Sequence, residues 1–556
     1  MDLVVFEYDQ DYVLECFRRG EFDFVDGVSE VAETEFFRYI GAKKILGRLA
    51  ETYPSPREKE EVPVWMYVAS NLSMRLHGVH SFHAYPYVIR CGGMLNAFGP
   101  EVARKTKHPE TGDVTLSCSG FNDKNSYDRQ TPCYQDYLRK LARATEPEQL
   151  QQWFNRDVMQ ILKQHKAFDP EGIFLGDASY LFVPDNPNYE HSVRMLFDEH
   201  NHHVDSKKIS APQRARCQWR RCYKMVSLVH TNRSGDYFLY AGLSVVAGNK
   251  SETPILWGLV DAFVEAVGRG VMKRLILDRG FIDGEQIGRC KKEHGIDVLI
   301  PLKQNMDVYE DVMGLVREGR VQFESYSPPP PKPPVDPKPT HVPQEIRQRE
   351  KKRQATVRQR KQPPPSVPAE KVRVRAEIAC LSDFRTWSSC PVPLNVTVNR
   401  EHYADGHTDV WMLIDTKDTG KPACARDGYT LRTGIEERHR QLKCFIDLTD
   451  FTSRKFSLIC NQVIFVALAY SLMQLFLLRI KRSALNRRTQ PRLRHQLMPT
   501  DSVIIVYYCS RFALFTPSEY TELLLTLPAE AGKKILEKIR RLRRDLEQEL
   551  KVVRSP

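Results

Sequence analysis

The sequence lacks any long apolar run that is free of polar residues. Its most apolar stretch, residues 456–480, contains Asn461, Gln462 and Gln474, and this composition favours a buried core helix over a membrane span. The N-terminal segment, MDLVVFEYDQDYVLE, is acidic and contains no long apolar core, so we expect no secretory signal. These two absences predict a cytoplasmic protein with no membrane partner.

The sequence also lacks the paired cysteines of a disulfide framework or a structural zinc site. Its 13 cysteines are scattered and odd in number, which predicts free thiols. Cys217 and Cys222, in CQWRRC, follow His200, His202 and His203. Two cysteines at this spacing, with no second pair, fit structural zinc poorly, so we do not expect a metal there.

Acidic residues are outnumbered by basic ones. The chain carries 82 Lys and Arg residues against 70 Asp and Glu residues, a net charge of +12. This balance favours a polyanionic partner, and both nucleic acid and an anionic membrane surface satisfy it. At 556 residues the chain is too long for a single hydrophobic core, so we expect about two to four domains.

The segment YTLRTGIEERHRQLK, residues 429–443, has the spacing of a helix. Residues that recur at steps of three and four fall on one helical face, and these are Tyr429, Arg432, Glu436, Arg440 and Lys443. A single acid among cations is the pattern expected where a carboxylate binds a metal ion and neighbouring basic side chains bind phosphates. An exposed helix with ordinary ion pairs one turn apart has the same spacing, so the pattern alone leaves both interpretations open.

The pattern Tyr-x2-Arg-x3-Glu-x6-Lys is met by Tyr429, Arg432, Glu436 and Lys443. It resembles the signature of the DDE transposases of bacterial insertion sequences, in the insertion-sequence-four-like group. The resemblance implies an RNase H-like catalytic core, with two further aspartates on strands upstream. It also implies a bacterial, nucleoid-associated protein whose partner is DNA.

The upstream sequence supplies both aspartates. GIFLGDAS, residues 172–179, predicts a short apolar strand that ends at Asp177, and RLILDRGF, residues 274–281, predicts a strand that delivers Asp278. The segment LDRGF also resembles the second-aspartate segment of this group. The remaining predicted core elements are strands at 223–231, 236–248 and 297–303 and helices at 254–270 and 283–295. The order β-β-β-α-β-α-β is that of an RNase H-like core.

Other acids compete for these positions. Asp185 and Asp198 are alternatives to the first aspartate, Asp283 to the second, and Glu437 to the signature glutamate. Acids beside strands are commonly turn or cap residues, and Glu437 lies about 100° around the helix from its neighbour.

The resemblance, together with these positions, assigns the catalytic and metal-binding roles to Asp177, Asp278 and Glu436. Three converging carboxylates can hold two hard cations about 4 Å apart. Because all the ligands are oxygens, we expect Mg2+ or Mn2+, two per active site.

The other signature residues are expected to hold DNA. Arg432 and Lys443 would clamp backbone phosphates, and Tyr429 would orient the terminal phosphate. We add Arg440 to this phosphate-binding set from helix geometry alone.

A long insertion separates the last predicted core strand from the signature. Its first half, residues 327–370, contains SPPPPKPPVDPKP and a basic run, which predicts a poorly ordered linker. Its second half, residues 371–418, alternates as β-strands do. Relatives of this group carry a β-rich insertion here, where an aromatic residue can hold a flipped base. Trp387 and Trp411 are the candidates, and a buried strand tryptophan is the alternative interpretation.

The predicted fold class is α/β. We expect an RNase H-like core with a mixed five-stranded sheet, interrupted by the β-rich insertion, together with a mainly helical N-terminal domain and a helical C-terminal segment. The predicted boundaries are 1–165 for the N-terminal domain, with DNA-end recognition as a hypothesis, 166–305 for the first part of the core, 306–425 for the insertion, 426–482 for the catalytic and closing helices, and 483–556 for the basic C-terminal segment.

The function that the resemblance implies is cut-and-paste DNA transposition. Such an enzyme binds terminal inverted repeats, cleaves DNA with metal ions, joins the freed ends to target DNA and works as a homodimer on DNA. Two alternatives stay open. One is another RNase H-like metal-dependent nuclease, and the other is a non-catalytic DNA-binding protein derived from a transposase.

Overall fold

The structure is a computed structural model that describes residues 2–5, 7–28, 31–58, 62–85, 94, 102–107, 114–117, 133–328, 372–417, 421–481, 503–509 and 511–554. In these residues the strands are β1 (Asp2–Val5), β2 (Glu7–Tyr8), β3 (Phe24–Val28), β4 (Val102–Lys107), β5 (Val114–Ser117), β6 (Ile173–Val183), β7 (Val193–Phe197), β8 (Gln218–Thr231), β9 (Phe238–Ala247), β10 (Arg274–Ile276), β11 (Asp297–Pro301), β12 (Glu324–Ser325), β13 (Arg373–Phe384), β14 (Leu394–Tyr403), β15 (Thr408–Asp415), β16 (Val503–Tyr508) and β17 (Arg511–Phe515).

Helices cover much of the remaining described chain. The α-helices are Gln10–Arg18, Val31–Ala42, Ile45–Thr52, Val64–Leu76, Gln135–Ala144, Pro147–Trp153, Met159–Gln164, Ala211–Ala215, Glu252–Val267, Gly284–Arg289, Asp307–Arg317, Pro422–Tyr429, Thr433–Phe445, Phe456–Arg479, Pro517–Thr526 and Ala529–Arg554. The 3-10 helices are Phe82–Ala84, Arg279–Phe281 and Thr430–Arg432, and the π-helices are Phe154–Val158 and Cys290–His294.

Five strands form the centre of the main sheet, in the order β9-β8-β6-β10-β11. β6 and β8 are antiparallel, as are β8 and β9, whereas β10 is parallel to both β6 and β11. The helix Glu252–Val267 provides the crossover between β9 and β10, as a parallel strand added to an antiparallel trio requires. This arrangement is consistent with the RNase H-like core that the sequence predicts.

Two strand boundaries differ from the prediction. β6 does not end at Asp177, because it stays paired with β8 from Ile173 to Val183. The predicted strand 274–281 is shorter, since β10 stops at Ile276 and a 3-10 helix follows at Arg279–Phe281. The additional strand β7 pairs with the first part of β8.

Among the described residues the main sheet has ten strands, because other strands extend the five of the predicted core. In the second half of the predicted insertion, β13, β14 and β15 form an antiparallel series, and β15 pairs with the outer edge of β11. These strands therefore continue the core sheet, which covers an edge that would otherwise be exposed. Most of the predicted linker 327–370 lies outside the described residues, and its order stays a prediction.

The long apolar helix Phe456–Arg479 packs between β9 and the helix Val64–Leu76. It is long and apolar enough to cross a membrane, with a mean hydropathy of 1.8, but 83% of that window is buried inside the protein. Two of its polar residues make internal hydrogen bonds: Gln474 accepts from the Phe238 amide, and Asn461 donates to the Tyr67 hydroxyl. This burial is typical of a core helix.

The two ends of the chain fold together. A four-stranded sheet has the order β2-β17-β16-β3 and so combines strands from both ends. A hydrophobic cluster combines Val13, Phe17 and Phe22 from the N-terminal end with Val506 and Phe515 of this sheet from the C-terminal end. Both ends thus contain strands, where the sequence predicts a mainly helical N-terminal domain and a helical C-terminal segment. Residues 482–502, which begin the predicted basic C-terminal segment, lie outside the described residues.

Candidate active site

The strand register brings the two predicted aspartates together. Ile276 pairs with Leu175 in the parallel ladder of β10 and β6. Asp278 and Asp177 each follow two residues later, so the register places them side by side. Gly176 permits this approach, since a Cβ there would lie 2.5 Å from the Leu277 side chain. Asp278 accepts a hydrogen bond of 2.8 Å from the Arg279 amide, which fixes one of its oxygens.

The predicted signature helix is interrupted. One α-helix ends at Tyr429, the 3-10 helix Thr430–Arg432 follows, and the helix Thr433–Phe445 then carries the rest; we call this last element the signature helix. It packs close to the sheet at Gly434, where a Cβ would lie 2.7 Å from the Phe238 ring. Glu436 lies in its first turn.

Arg432 contacts all three predicted acids. Its Nη2 lies 3.6 Å from Asp177 Oδ1 and 3.3 Å from Asp278 Oδ2, and its Nη1 donates to Glu436 Oε1 at 2.5 Å. The Arg432 side chain is only 14% exposed, whereas those of Asp278 and Glu436 are 39% and 52% exposed. One guanidinium therefore contacts three carboxylates at the edge of the sheet.

The charges of this cluster shift the pKa values of Arg432 and Tyr429. Burial alone would lower the pKa of the Arg432 guanidinium, but the charges of Asp177, Asp278 and Glu436 outweigh burial and raise it. Burial raises the pKa of the Tyr429 phenol to about 12, and nearby Arg432 offsets part of that rise. Tyr429 is thus a neutral hydrogen-bonding group beside the acids at neutral pH.

Lys443 lies against the strand that carries the first aspartate. Its Nζ donates to Ser179 Oγ and to the Tyr180 carbonyl, each at 2.7 Å. Ser179 shares a face of β6 with Asp177, because side chains alternate along a strand. Burial lowers the pKa of Lys443 to about 8, and the charge of Asp177 opposes that shift.

Arg440 and the two tryptophans are placed differently from the acids. Arg440 donates two hydrogen bonds to Glu437, at 2.7 and 2.8 Å, so the structure does not bring it into the acid cluster. The half-buried Trp411 lies near the site, with its ring centroid 6.3 Å from that of Tyr429. Trp387 is half-buried against the core, and no described contact joins it to the acids.

The competing acids have other partners. Asp185 pairs with Arg194 at 2.8 Å, and Asp198 accepts the amides of His200 and His202 in a turn. Asp283 accepts the Gln286 amide at the start of the helix Gly284–Arg289. Their roles in turns and caps are the ordinary ones for acids beside strands.

Two site residues were missed by the sequence analysis. His439, on the signature helix, has Nδ1 3.4 Å from Asp177 Oδ2 and Nε2 2.8 Å from Ser227 Oγ. Its position three residues after Glu436 could be read from the sequence. Its neighbour Ser227 could not, because Ser227 is brought there by the register of β8 against β6.

The donor set suits a hard divalent cation, because all three groups are carboxylates. Asp177, Asp278 and Glu436 would hold such an ion. Across the described part of the chain, no group of three or more His, Cys, Asp or Glu side chains is arranged to hold a metal as it stands. Here a guanidinium, itself a cation, lies among the carboxylates instead.

Comparison with known proteins finds one related domain. Residues 203–472 match the family model described as Transposase DDE domain. The matched region contains Asp278, Glu436 and the whole of 429–443 but begins after Asp177. No curated protein matches the chain. Such domains generally use divalent metal ions, and DNA is the partner that the match implies. The region from residue 203 to residue 472 is thus similar to transposase DDE domains, which supports a transposase function for this chain.

Proposed function

We propose that the chain is a DNA transposase of the insertion-sequence-four-like group. It would bind the terminal inverted repeats of its own element, cut the DNA and join the freed ends to target DNA by cut and paste. The observation that carries this proposal is the meeting of Asp177, Asp278 and Glu436 at one guanidinium. The match of residues 203–472 to a transposase DDE domain supports the transposase part of this proposal.

The proposed chemistry is phosphodiester hydrolysis followed by transesterification. In the first step the oxygen of water bonds to phosphorus, the bond from phosphorus to the 3′ oxygen breaks, and a free 3′-hydroxyl remains. In the second step that hydroxyl bonds to a target phosphorus and displaces a target 3′ oxygen. Bound Mg2+ or Mn2+, two per site, would activate the attacking oxygen and stabilise the leaving one.

The chain's own residues would position the DNA. Asp177, Asp278 and Glu436 hold the cations, and Arg432 exchanges its carboxylate contacts for a backbone phosphate. Guanidinium groups suit that exchange, because their paired N–H groups match carboxylate and phosphate alike.

The residues around this centre would complete the DNA site. Lys443 adds a second cation beside the catalytic strand, and Tyr429 offers its hydroxyl to the terminal phosphate. Trp411, beside Tyr429, is the better placed of the two tryptophans to hold an unstacked base.

The test is cleavage of DNA that carries the element's own ends, with Mg2+ or Mn2+, by the native chain and by Glu436→Gln. We expect breaks at the repeat boundary that require the metal and are lost in the variant. Glu437→Gln is the matched control, because Glu437 pairs with Arg440 outside the acid cluster, and it should still cut. End binding without cleavage by the native chain would instead support a non-catalytic DNA-binding protein.

A further inference from the structure

The first aspartate is contacted on two sides. Its Oδ1 lies 3.6 Å from Arg432 Nη2, and its Oδ2 lies 3.4 Å from Nδ1 of His439. The two oxygens of Asp177 therefore face different groups. One faces the centre of the acid cluster, and the other faces an imidazole behind it.

His439 is held rigidly in this position. The residue is 4% exposed, and its ring lies roughly parallel to that of Tyr240, with centroids 6.3 Å apart and planes at 27°. Its Nε2 lies 2.8 Å from Ser227 Oγ. A ring packed on one face and tied at Nε2 has little freedom to turn away from Asp177.

Ser227 lies between the same imidazole and the main chain of Asp177. The two residues are partners in the ladder of β6 and β8, and the Ser227 hydroxyl lies 3.4 Å from the Asp177 carbonyl oxygen. A signature-helix residue and a β8 residue thus enclose Asp177 from the side away from Arg432.

The partners specify where the proton of a neutral imidazole lies. A carboxylate oxygen only accepts, so the nitrogen that faces Asp177 must carry the proton. With its proton on Nδ1, the neutral ring presents a lone pair at Nε2, which accepts from the Ser227 hydroxyl at 2.8 Å. Both ring nitrogens are then matched to their neighbours.

We propose that His439 is a positioning residue that, with Ser227, fixes the carboxylate of Asp177 for metal binding. The proposal rests on the proposed function, since it gives Asp177 a divalent cation to hold. With Nδ1 of His439 beside Oδ2 at 3.4 Å, Oδ1 stays turned toward the position where the cation would bind. A group that orients a ligand in this way typically changes metal affinity or activity about 10- to 100-fold when removed.

The test compares two substitutions, each of which keeps a nitrogen near the position of one of the two imidazole nitrogens. In His439→Asn the amide nitrogen takes roughly the place of Nδ1, and in His439→Gln it takes roughly the place of Nε2. The readout is Mn2+ affinity of the full chain without DNA, measured by electron paramagnetic resonance, with the rate of DNA cleavage as a second measurement. We expect His439→Gln to lose about 10- to 100-fold in Mn2+ affinity, and His439→Asn to stay within about threefold of the native chain.

Two further variants separate positioning from folding. His230→Gln alters a fully buried histidine on β8 that hydrogen-bonds the Asp169 amide and the Ile173 carbonyl, and it should lower Tm without changing Mn2+ affinity. Ser227→Ala should weaken Mn2+ binding less than His439→Gln does, because the ring keeps its proton toward Asp177. If both His439 substitutions fail to fold, Ser227→Ala carries the test, and unchanged Mn2+ affinity in it would refute the positioning role.

The outcomes also distinguish this proposal from the function on which it rests. The native chain could bind Mn2+ and cut DNA while both His439 variants lose Mn2+ affinity only in proportion to their loss of Tm. That result would leave the proposed transposase function intact and overturn the role of His439. A native chain that neither binds Mn2+ nor cuts DNA would overturn both.

Discussion

At the scale of single residues, the unusual feature is the guanidinium at the centre of the acid cluster. Three carboxylates this close repel one another unless a cation lies between them, and Arg432 supplies that positive charge in the structure. A divalent cation would compete for the same oxygens. If the acids bind a metal ion as proposed, Arg432 has two opposed effects: it holds the acids together, and it competes with the ion for their oxygens.

Replacing Arg432 separates these effects. We expect Arg432→Gln to bind Mn2+ about tenfold more tightly or better in the absence of DNA, because one charge near 4 Å contributes about 1 to 4 kcal/mol. The same variant should cut DNA more slowly, since a phosphate-binding cation is lost. Titration with Mn2+ under electron paramagnetic resonance, alongside a cleavage assay, measures both changes.

The control for this comparison is Arg440→Gln. Arg440 lies on the signature helix, which follows Arg432 directly, but it pairs with Glu437, so its loss should leave Mn2+ affinity unchanged. Weaker Mn2+ binding in Arg432→Gln would mean that the guanidinium assembles the site rather than competing with the metal.

The sequence specifies these residues unevenly. Apolar runs predict strands that carry Asp177 and Asp278, and the resemblance of residues 429–443 to a family signature selects Glu436, so the three acids could be named from the sequence. Helical spacing predicts which way a side chain points but not which residue it contacts. Arg440 pairs with Glu437 on its own helix, one turn away. His439 was missed for a different reason: its neighbours Asp177 and Ser227 lie on strands whose pairing only the folded sheet reveals.

At the scale of elements, the main surprise is the insertion. Its alternating pattern predicts strands, and β13, β14 and β15 are present. Local alternation carries no information about which edge a strand will join, so the continuation of the core sheet across β11 and β15 was not predictable. A buried ion pair reinforces this join, since Arg274 of β10 makes two bonds of 2.5 Å to Asp415 of β15.

This ion pair yields a stability prediction. Asp415 is 1% exposed in its side chain and Arg274 14%, so Asp415→Ala leaves a buried charge unpaired. We expect it to lower the free energy of unfolding by about 3 kcal/mol or more, measured by urea denaturation. Glu265→Ala, which breaks an exposed pair with Arg156, should cost at most about 1 kcal/mol. Equal effects would show that the pair does not join the insertion strand to the core.

At the scale of the whole molecule, the two chain ends share one small core. Phe17 packs against Phe22 and against Tyr520 from the far end of the chain, with ring centroids 5.3 and 5.8 Å apart. A linear division of the sequence into N-terminal and C-terminal units misses such a core, because the pairing strands β2, β3, β16 and β17 are short.

The shared core predicts an effect at a distance in sequence. Phe17→Ala removes a fully buried ring, which typically costs about 3 to 5 kcal/mol, so backbone amides of β16 and β17 should exchange faster with deuterium. Leu525→Ala is the control, because Leu525 is 81% exposed, and exchange there should stay as in the native chain. Unchanged exchange in β16 and β17 of Phe17→Ala would contradict the joint core.

The most direct test of the whole account is a strand-transfer assay. Pre-cut DNA ends with free 3′-hydroxyls are incubated with target plasmid, Mg2+ or Mn2+, and either the native chain or Asp177→Asn. Joining distinguishes a transposase from a nuclease, and Asp177 is the acid that lies outside the family match. The account predicts covalently joined products that require the metal and disappear in Asp177→Asn, while the variant still binds the ends. A native chain that cuts but never joins, or an Asp177→Asn chain that joins as well as the native one, would contradict it.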